Sequence, residues 1–226
     1  MDVAVLYSGG KDSTLALENI IKKENVKCLI IMISKNKESY MFHTPNIKFA
    51  KLQAKAIGIP SMIYYTKGVK EDELKDLEEA IKKAVEDYKI EGIVTGAVCS
   101  NYQESRIKNI ADKLRIKCIN PLWQKNQIDL LKEIVDKKFK VIICGVFAYG
   151  LENFIGREIN KEFVEEIEIL NKKYKISPVG EGGEFESFVL NAPFFKYKLI
   201  IKKNHVIKDS NYSKTLIIDE INLEKN

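Results

Sequence analysis

Six residues near the amino terminus, Ser8-Gly9-Gly10-Lys11-Asp12-Ser13, have the types and spacing of an anion-binding loop. Two adjacent glycines let a backbone turn tightly and come close to a ligand. Ser8 and Ser13 add hydroxyls, Lys11 adds a cation, and Asp12 adds a carboxylate suited to holding magnesium beside phosphates. Such a loop works only if something aims it. The apolar run Val3-Ala4-Val5-Leu6-Tyr7 before it has the length of a buried strand, and Leu15, Leu17, Ile20 and Ile21 after it fall at helical spacing. A strand-to-helix junction turns the first N–H groups of the helix and the positive end of its dipole toward a bound anion. An ordinary turn capped by Asp12 or Ser13 would use the same residue types. The Walker pattern G-x-x-x-x-G-K-[ST] is excluded, because only Gly9 and Gly10 precede Lys11 and no Ser or Thr follows it directly.

A second stretch, Gly180-Glu181-Gly182-Gly183-Glu184-Phe185-Glu186-Ser187, sets three glycines among three carboxylates. This is poor material for the interior of a helix or a strand. Gly182 and Gly183 suit close backbone approach to a ligand, and Glu181, Glu184 and Glu186 are acceptors for an ammonium or another cationic group. An exposed acidic turn is the plainer alternative.

The elements that must position these loops alternate between strand and helix. After the first helix, Val26 to Ser34 is a near-continuous apolar run, as expected of a parallel strand buried on both faces. Helices are expected over 46–57, with Thr44 as cap and Pro45 in the first turn, and over 71–88. Further strands are expected at 61–65, 92–96 and 115–120. The pattern predicts an α/β fold with a five-stranded parallel sheet and helices on both faces. Ligands of such sheets bind beyond the carboxyl ends of the strands, which places Ser34 near an adenosine and Arg106 where its guanidinium could grip a phosphate, with Gly96 ending the fourth strand. Arg106 as a surface partner of Glu104 is an equal alternative. His43 is one of two histidines, and a structural role competes with proton transfer or phosphate contact. Trp123, beside Pro121, reads as an anchor between two lobes. The expected division is an anion-binding α/β domain over 1–124 and a smaller α+β domain over 125–226, whose runs at 185–190, 197–202 and 215–223 suggest an antiparallel patch.

The chain has 226 residues, 45% of them hydrophobic, enough for a full core. A net charge of +5 suits an anionic ligand without implying nucleic-acid binding. Cys28, Cys99, Cys118 and Cys144 are far apart with no C-x-x-C spacing, so neither zinc nor a disulfide framework is indicated and reduced core thiols are expected. No signal-like start and no run approaching a membrane span is visible, so a cytoplasmic location and no membrane partner are expected.

The loop SGGKDS resembles the SGG-x-DS loop of the N-type ATP pyrophosphatases, the PP-loop superfamily of adenine nucleotide alpha hydrolase-like (HUP) folds. Together with SYMFHTP, GAVCSNYQESRI, PLWQ and GEGGEFESFVLNAPFF, it resembles the diphthine–ammonia ligase family over nearly the whole chain. That resemblance implies ATP-dependent amidation of diphthine on translation elongation factor 2, with ammonium as nitrogen donor and AMP and pyrophosphate as products. It implies ATP and Mg²⁺ as cofactors, nucleotide contacts from Ser8 to Ser13, Ser34, His43, Gly96 and Arg106, and Asp12 as the metal ligand. Catalytic roles fall to Lys11, Asp12, Glu184 and Glu186. Substrate contacts fall to Tyr102, Gln103, Glu181, Gly182, Gly183, Glu184 and Glu186, with Tyr149 or Phe185 offering an aromatic face to the trimethylammonium group of diphthine. The chain has Asn191 where the family pattern carries aspartate. None of its cysteines has a glutaminase signature, in keeping with free ammonium. A tRNA-modifying adenylating enzyme of the same superfamily and a non-catalytic adenine-nucleotide sensor are the competing readings. Self-association is left open.

Overall fold

A computed structural model describes residues 1–36, 44–69 and 72–226. It divides into two compact units, Met1–Trp123 and Gln124–Asn226.

The first unit is a parallel sheet of β1 (Asp2–Leu6), β2 (Asn25–Ser34), β3 (Ser61–Thr66), β4 (Gly92–Val94) and β5 (Lys117–Ile119) in the order β3-β2-β1-β4-β5. Side chains alternate across the sheet. Ala4, Cys28, Ile30, Met32 and Ile93 pack with Leu77, Ile81 and Ala84 of α3 (Asp72–Tyr88) and Ile107, Ile110 and Ala111 of α4 (Asn101–Lys113). Val3, Val5, Leu29 and Ile31 point to the other face and are fully buried beneath α1 (Lys11–Ile21) and α2 (Ala50–Ile57). The five-stranded parallel sheet with helices on both faces is therefore as expected. The chain runs from β1 to one neighbour and returns through β4 to the other, so the loops after β1 and β4 part company at their carboxyl ends. Such a switch point is where open α/β sheets bind ligands.

One helix differs from expectation. Thr44 and Pro45 do not start a helix running from residue 46; a 3-10 turn at Ile47–Phe49 precedes α2, which begins only at Ala50. Asn46 has φ 65°, a left-handed conformation that asparagine tolerates but that cannot lie inside a right-handed helix.

The second unit is an antiparallel sheet in the order β7-β6-β9-β8, formed by β6 (Lys140–Val146), β7 (Phe185–Asn191), β8 (Tyr197–Lys208) and β9 (Lys214–Lys225). The patch expected from three runs has a fourth member, because β6 pairs with both β7 and β9. Helices α5 (Gln127–Asp136) and α6 (Lys161–Tyr174) complete the unit, and Phe163 of α6 packs on Phe185 of β7 with ring centroids 6.0 Å apart. The outer strand β8 is an edge and carries the lysines 198, 202, 203 and 208.

Cys28 and Cys144 are buried and Cys118 is half-buried, but Cys99 is exposed rather than in the core. Burial pushes the Cys118 thiol up to about 11, helped by the Glu104 charge, and burial with the Asp87 charge pushes Cys28 up to about 12. A raised thiol remains protonated through neutral pH, and its reactive thiolate grows about tenfold per pH unit until that value is reached. Iodoacetamide at pH 8 is expected to label Cys99 first, with Cys118 following only as pH climbs toward 11 and Cys28 last. A mass-spectrometric time course showing Cys28 labelled as fast as Cys99 would contradict this packing.

Candidate active site

The residues Ser8 to Ser13 form the junction between β1 and α1. Gly10 is the N-cap of α1, with extended backbone (φ −79°, ψ 171°) and no side-chain cap. The Thr14 N–H is the first to find its helical acceptor, Gly10 O at 3.1 Å, so the earlier N–H groups are those that helix geometry leaves for a cap or a ligand. Hydroxyls stabilise the turn from within. Ser8 Oγ lies 3.1 Å from Ser13 Oγ and accepts from Gly10 N, while Thr14 Oγ1 reaches Gly10 O at 2.8 Å and the buried Tyr7 hydroxyl at 3.2 Å. Burial holds the Tyr7 phenol well above its ordinary range, so it stays a neutral member of this set.

Lys11 is only 3% exposed, and its ammonium donates to Asp12 Oδ2 at 2.8 Å. A buried ammonium requires a compensating charge. Asp12 supplies one with Oδ2, whereas Asp12 Oδ1 is buried with no hydrogen-bond partner among the described residues. A buried carboxylate oxygen that nothing donates to suits a hard cation. Magnesium ordinarily takes one or two carboxylates and completes its shell with phosphates and water, so one such oxygen beside a phosphate loop fits Mg-ATP chemistry.

Two further contacts fix the loop. Gly96, just beyond β4, leaves no room for a side chain: a Cβ there would lie 2.8 Å from Ser13 N and 2.9 Å from the Asp12 carbonyl carbon. Gly9 has φ +79°, and a Cβ there would lie 2.0 Å from Gln53 Oε1. Gln53 is fully buried on α2, and its Nε2 donates to Gly9 O at 3.0 Å. The first half of the chain therefore holds its loop from two sides, and sequence reasoning missed Gln53. The signal was present but weak: Gln53 stands among Ala50, Ala54 and Ile57 on the buried face of its helix, where a polar residue needs a partner.

Ser34, Tyr102, Gln103 and Arg106 lie at or after the carboxyl ends of β2 and β4 in the chain. Ser34 ends β2, with its hydroxyl donating to Asn36 O at 2.9 Å and accepting from Asn36 N at 3.1 Å. Ser100 caps α4 by accepting from Gln103 N. Tyr102 and Arg106 stand one turn apart on α4, with the guanidinium 3.4 Å from the ring centroid. This cation–π stack pre-sets Arg106. His43 lies outside the described residues.

In the second unit, Gly180 (φ +75°) and Gly183 (φ +79°) shape the glycine–glutamate loop. The Glu184 carboxylate is turned into that loop, accepting from Ser177 N at 2.8 Å and Gly182 N at 2.9 Å. Ser177 Oγ in turn accepts from Glu181 N and donates to Gln127 Oε1. Glu184 is thus built into its own turn, with one lone-pair direction left on each oxygen. Glu181 and Glu186 are half-buried, and Gly182 and Gly183 are exposed. Phe185 is 3% exposed and packed on Phe163, so Tyr149, at 57% exposed, is the accessible ring of the two named for cation contact. Asn191 forms a reciprocal amide pair with Asn226, at 2.9 and 3.1 Å, which an aspartate could not make in both directions.

The sequence matches the family model for the diphthamide synthase N-terminal domain over residues 1–118 and that for the diphthamide synthase C-terminal domain over residues 126–220. Among curated proteins named diphthine–ammonia ligase, that of Bos taurus is 34% identical over 93% of this chain and 86% of its own length. The Homo sapiens protein of that name is 34% identical over 92% of this chain and 85% of its own. A solved chain from Methanocaldococcus jannaschii, titled a predicted subunit of tRNA methyltransferase, is 20% identical with a TM-score of 0.46, covering 85% of this chain and 98% of that one. No helix among the described residues is long and apolar enough to cross a membrane. With both domain models matched in order and curated relatives aligned along most of the chain, the protein belongs to the diphthamide synthase family of ATP-dependent ligases.

Proposed function

We propose that the protein converts the carboxylate of diphthine on translation elongation factor 2 to an amide, using ATP and ammonium and releasing AMP and pyrophosphate. The observation that carries this reading is the uncapped start of α1, where buried Lys11 and the unpartnered Asp12 oxygen meet under Gly96. A carboxylate resists ammonia because its leaving group would be oxide. Transfer of AMP to a carboxylate oxygen breaks the bond between the α and β phosphates and leaves a mixed anhydride. The α1 amides and Lys11 would hold the departing pyrophosphate. Asp12 Oδ1 would hold magnesium, which supplies charge neutralisation to the phosphates when bound. Ser34, Gly96 and Arg106 bind the nucleotide in this reading, and Tyr102 and Gln103 contact the substrate.

Ammonia attacks only as the neutral amine, so ammonium must lose a proton before the carbon–nitrogen bond forms and AMP departs. Glu181 and Glu186 are the proposed acceptors and ammonium ligands. Glu184 adds charge and holds the turn that presents them.

Purified protein supplied with ATP, magnesium, ammonium and diphthine-bearing elongation factor 2 is expected to release AMP and pyrophosphate in step with amide formation. Nucleotide chromatography and mass spectrometry of the modified peptide read both. Release of ADP and phosphate would overturn the adenylation route.

A further inference from the structure

Three exposed tyrosines meet in the second unit. Tyr149 follows β6, Tyr174 ends α6, and Tyr212 stands in the turn between β8 and β9. The Tyr149 and Tyr174 rings are 5.2 Å apart between centroids at 90°, and Tyr149 and Tyr212 are 5.4 Å apart at 68°. Their exposures are 57%, 37% and 47%. The backbone keeps them in place. Gly150 takes the left-handed φ of +91° beside the Tyr174 ring, and its N–H donates to Glu152 Oε2 at 2.9 Å. The Tyr212 N–H donates to Ser210 Oγ at 3.2 Å.

The surroundings favour a cation. The Tyr149 phenol is held above its ordinary range chiefly by Tyr174, with the Glu152 charge adding to it, whereas the hydrogen bond from Lys173 lowers Tyr174 against the opposing Glu152 charge. Lys173 places its ammonium 4.8 Å from the Tyr174 ring centroid, so an incoming quaternary ammonium would displace this side chain from that ring. The cluster also adjoins the glycine–glutamate loop, because Phe147 N donates to Glu184 O at 2.8 Å and continues the β6–β7 pairing into both loops. Near-orthogonal aromatic walls with a carboxylate nearby are the chemistry that recognises quaternary ammonium, whose charge is spread over methyl groups and makes no hydrogen bonds.

We propose that Tyr149, Tyr174 and Tyr212 form a subsite for the quaternary ammonium group of the substrate. The inference rests on the reading that the substrate is diphthine. It separates the methylated substrate from an unmethylated precursor, because a primary amine remains strongly hydrated and gains less from aromatic walls.

Two measurements on the full chain test it. Tetramethylammonium chloride should perturb the ring resonances of Tyr149, Tyr174 and Tyr212, whereas equal ammonium chloride should not, and Tyr149→Ala should abolish the response. With diphthine-bearing elongation factor 2, Tyr149→Ala should raise KM for that protein about tenfold or more while KM for ATP is kept, and Tyr149→Phe, which keeps the ring, should restore it. Tyr212→Ala should act in the same direction, and thermal melting checks that each variant is folded. Equal tetramethylammonium responses in wild type and Tyr149→Ala, or an unchanged KM in both alanine variants, would overturn the subsite. If the wild type forms no amide yet tetramethylammonium still binds at these rings, the diphthine reading fails and the quaternary-ammonium site stands.

Discussion

Replacing Lys11 by alanine is expected to leave a folded protein whose release of AMP and pyrophosphate falls by at least about 10²–10³-fold, the scale on which one preorganised charge-stabilising donor acts. Lys11 is almost fully buried and spends its charge on Asp12, not on solvent. A buried, paired ammonium at a helix start contributes little to solubility and much to any anion that arrives there. Without it, a pyrophosphate departing at this helix start, as proposed, would keep the α1 dipole and lose the Lys11 charge. The structural cost is bounded because Asp12, whose side chain is 28% exposed, can turn toward water. Product chromatography and a melting curve separate the two effects. A Lys11→Ala protein turning over at the wild-type rate would show that this loop is not the phosphate site.

Gly96→Ala is the second change of large expected effect, and it works without removing any chemical group. The added Cβ would sit 2.8 Å from Ser13 N and 2.9 Å from the Asp12 carbonyl carbon, both backbone atoms that cannot rotate aside. Either β4 or the first turn of α1 must move, and a misplacement approaching an ångström at a reacting centre costs on the order of 10²-fold. The loss should fall on kcat/KM for ATP, measured by AMP formation at varied ATP. Gly183→Ala is a useful contrast: its φ of +79° would strain an alanine where Gly96 would not, but nothing lies within 4 Å of the added carbon, so crowding is absent. Unchanged ATP kinetics in Gly96→Ala would move the nucleotide away from the α1 terminus.

The parallel half of the molecule was legible in the sequence because each strand–loop–helix unit declares itself locally. An apolar run, two glycines and an amphipathic stretch suffice to place Ser8 to Ser13 across the junction of β1 and the first turn of α1. Asn46 was not legible, because a left-handed asparagine and a helical one look alike in a string of letters. Gln53 was hidden by distance, since its partner Gly9 is 44 residues away. The same limit applied to Glu184: three glutamates in one loop look equivalent until the backbone shows that one carboxylate caps two N–H groups of its own turn. The tyrosine cluster was the least visible, because it draws on a loop, a helix end and a hairpin turn that meet only in three dimensions.

The lysines along β8 bear on how the protein behaves in a crowded solution. An outer strand of 12 residues offers a row of unpaired amides and carbonyls on which another chain could extend the sheet. Two copies approaching edge to edge would bring the lysine-rich β8 of one against that of the other, and the like charges would oppose the pairing. The charges that look idle on this strand therefore serve as a guard against self-templated aggregation.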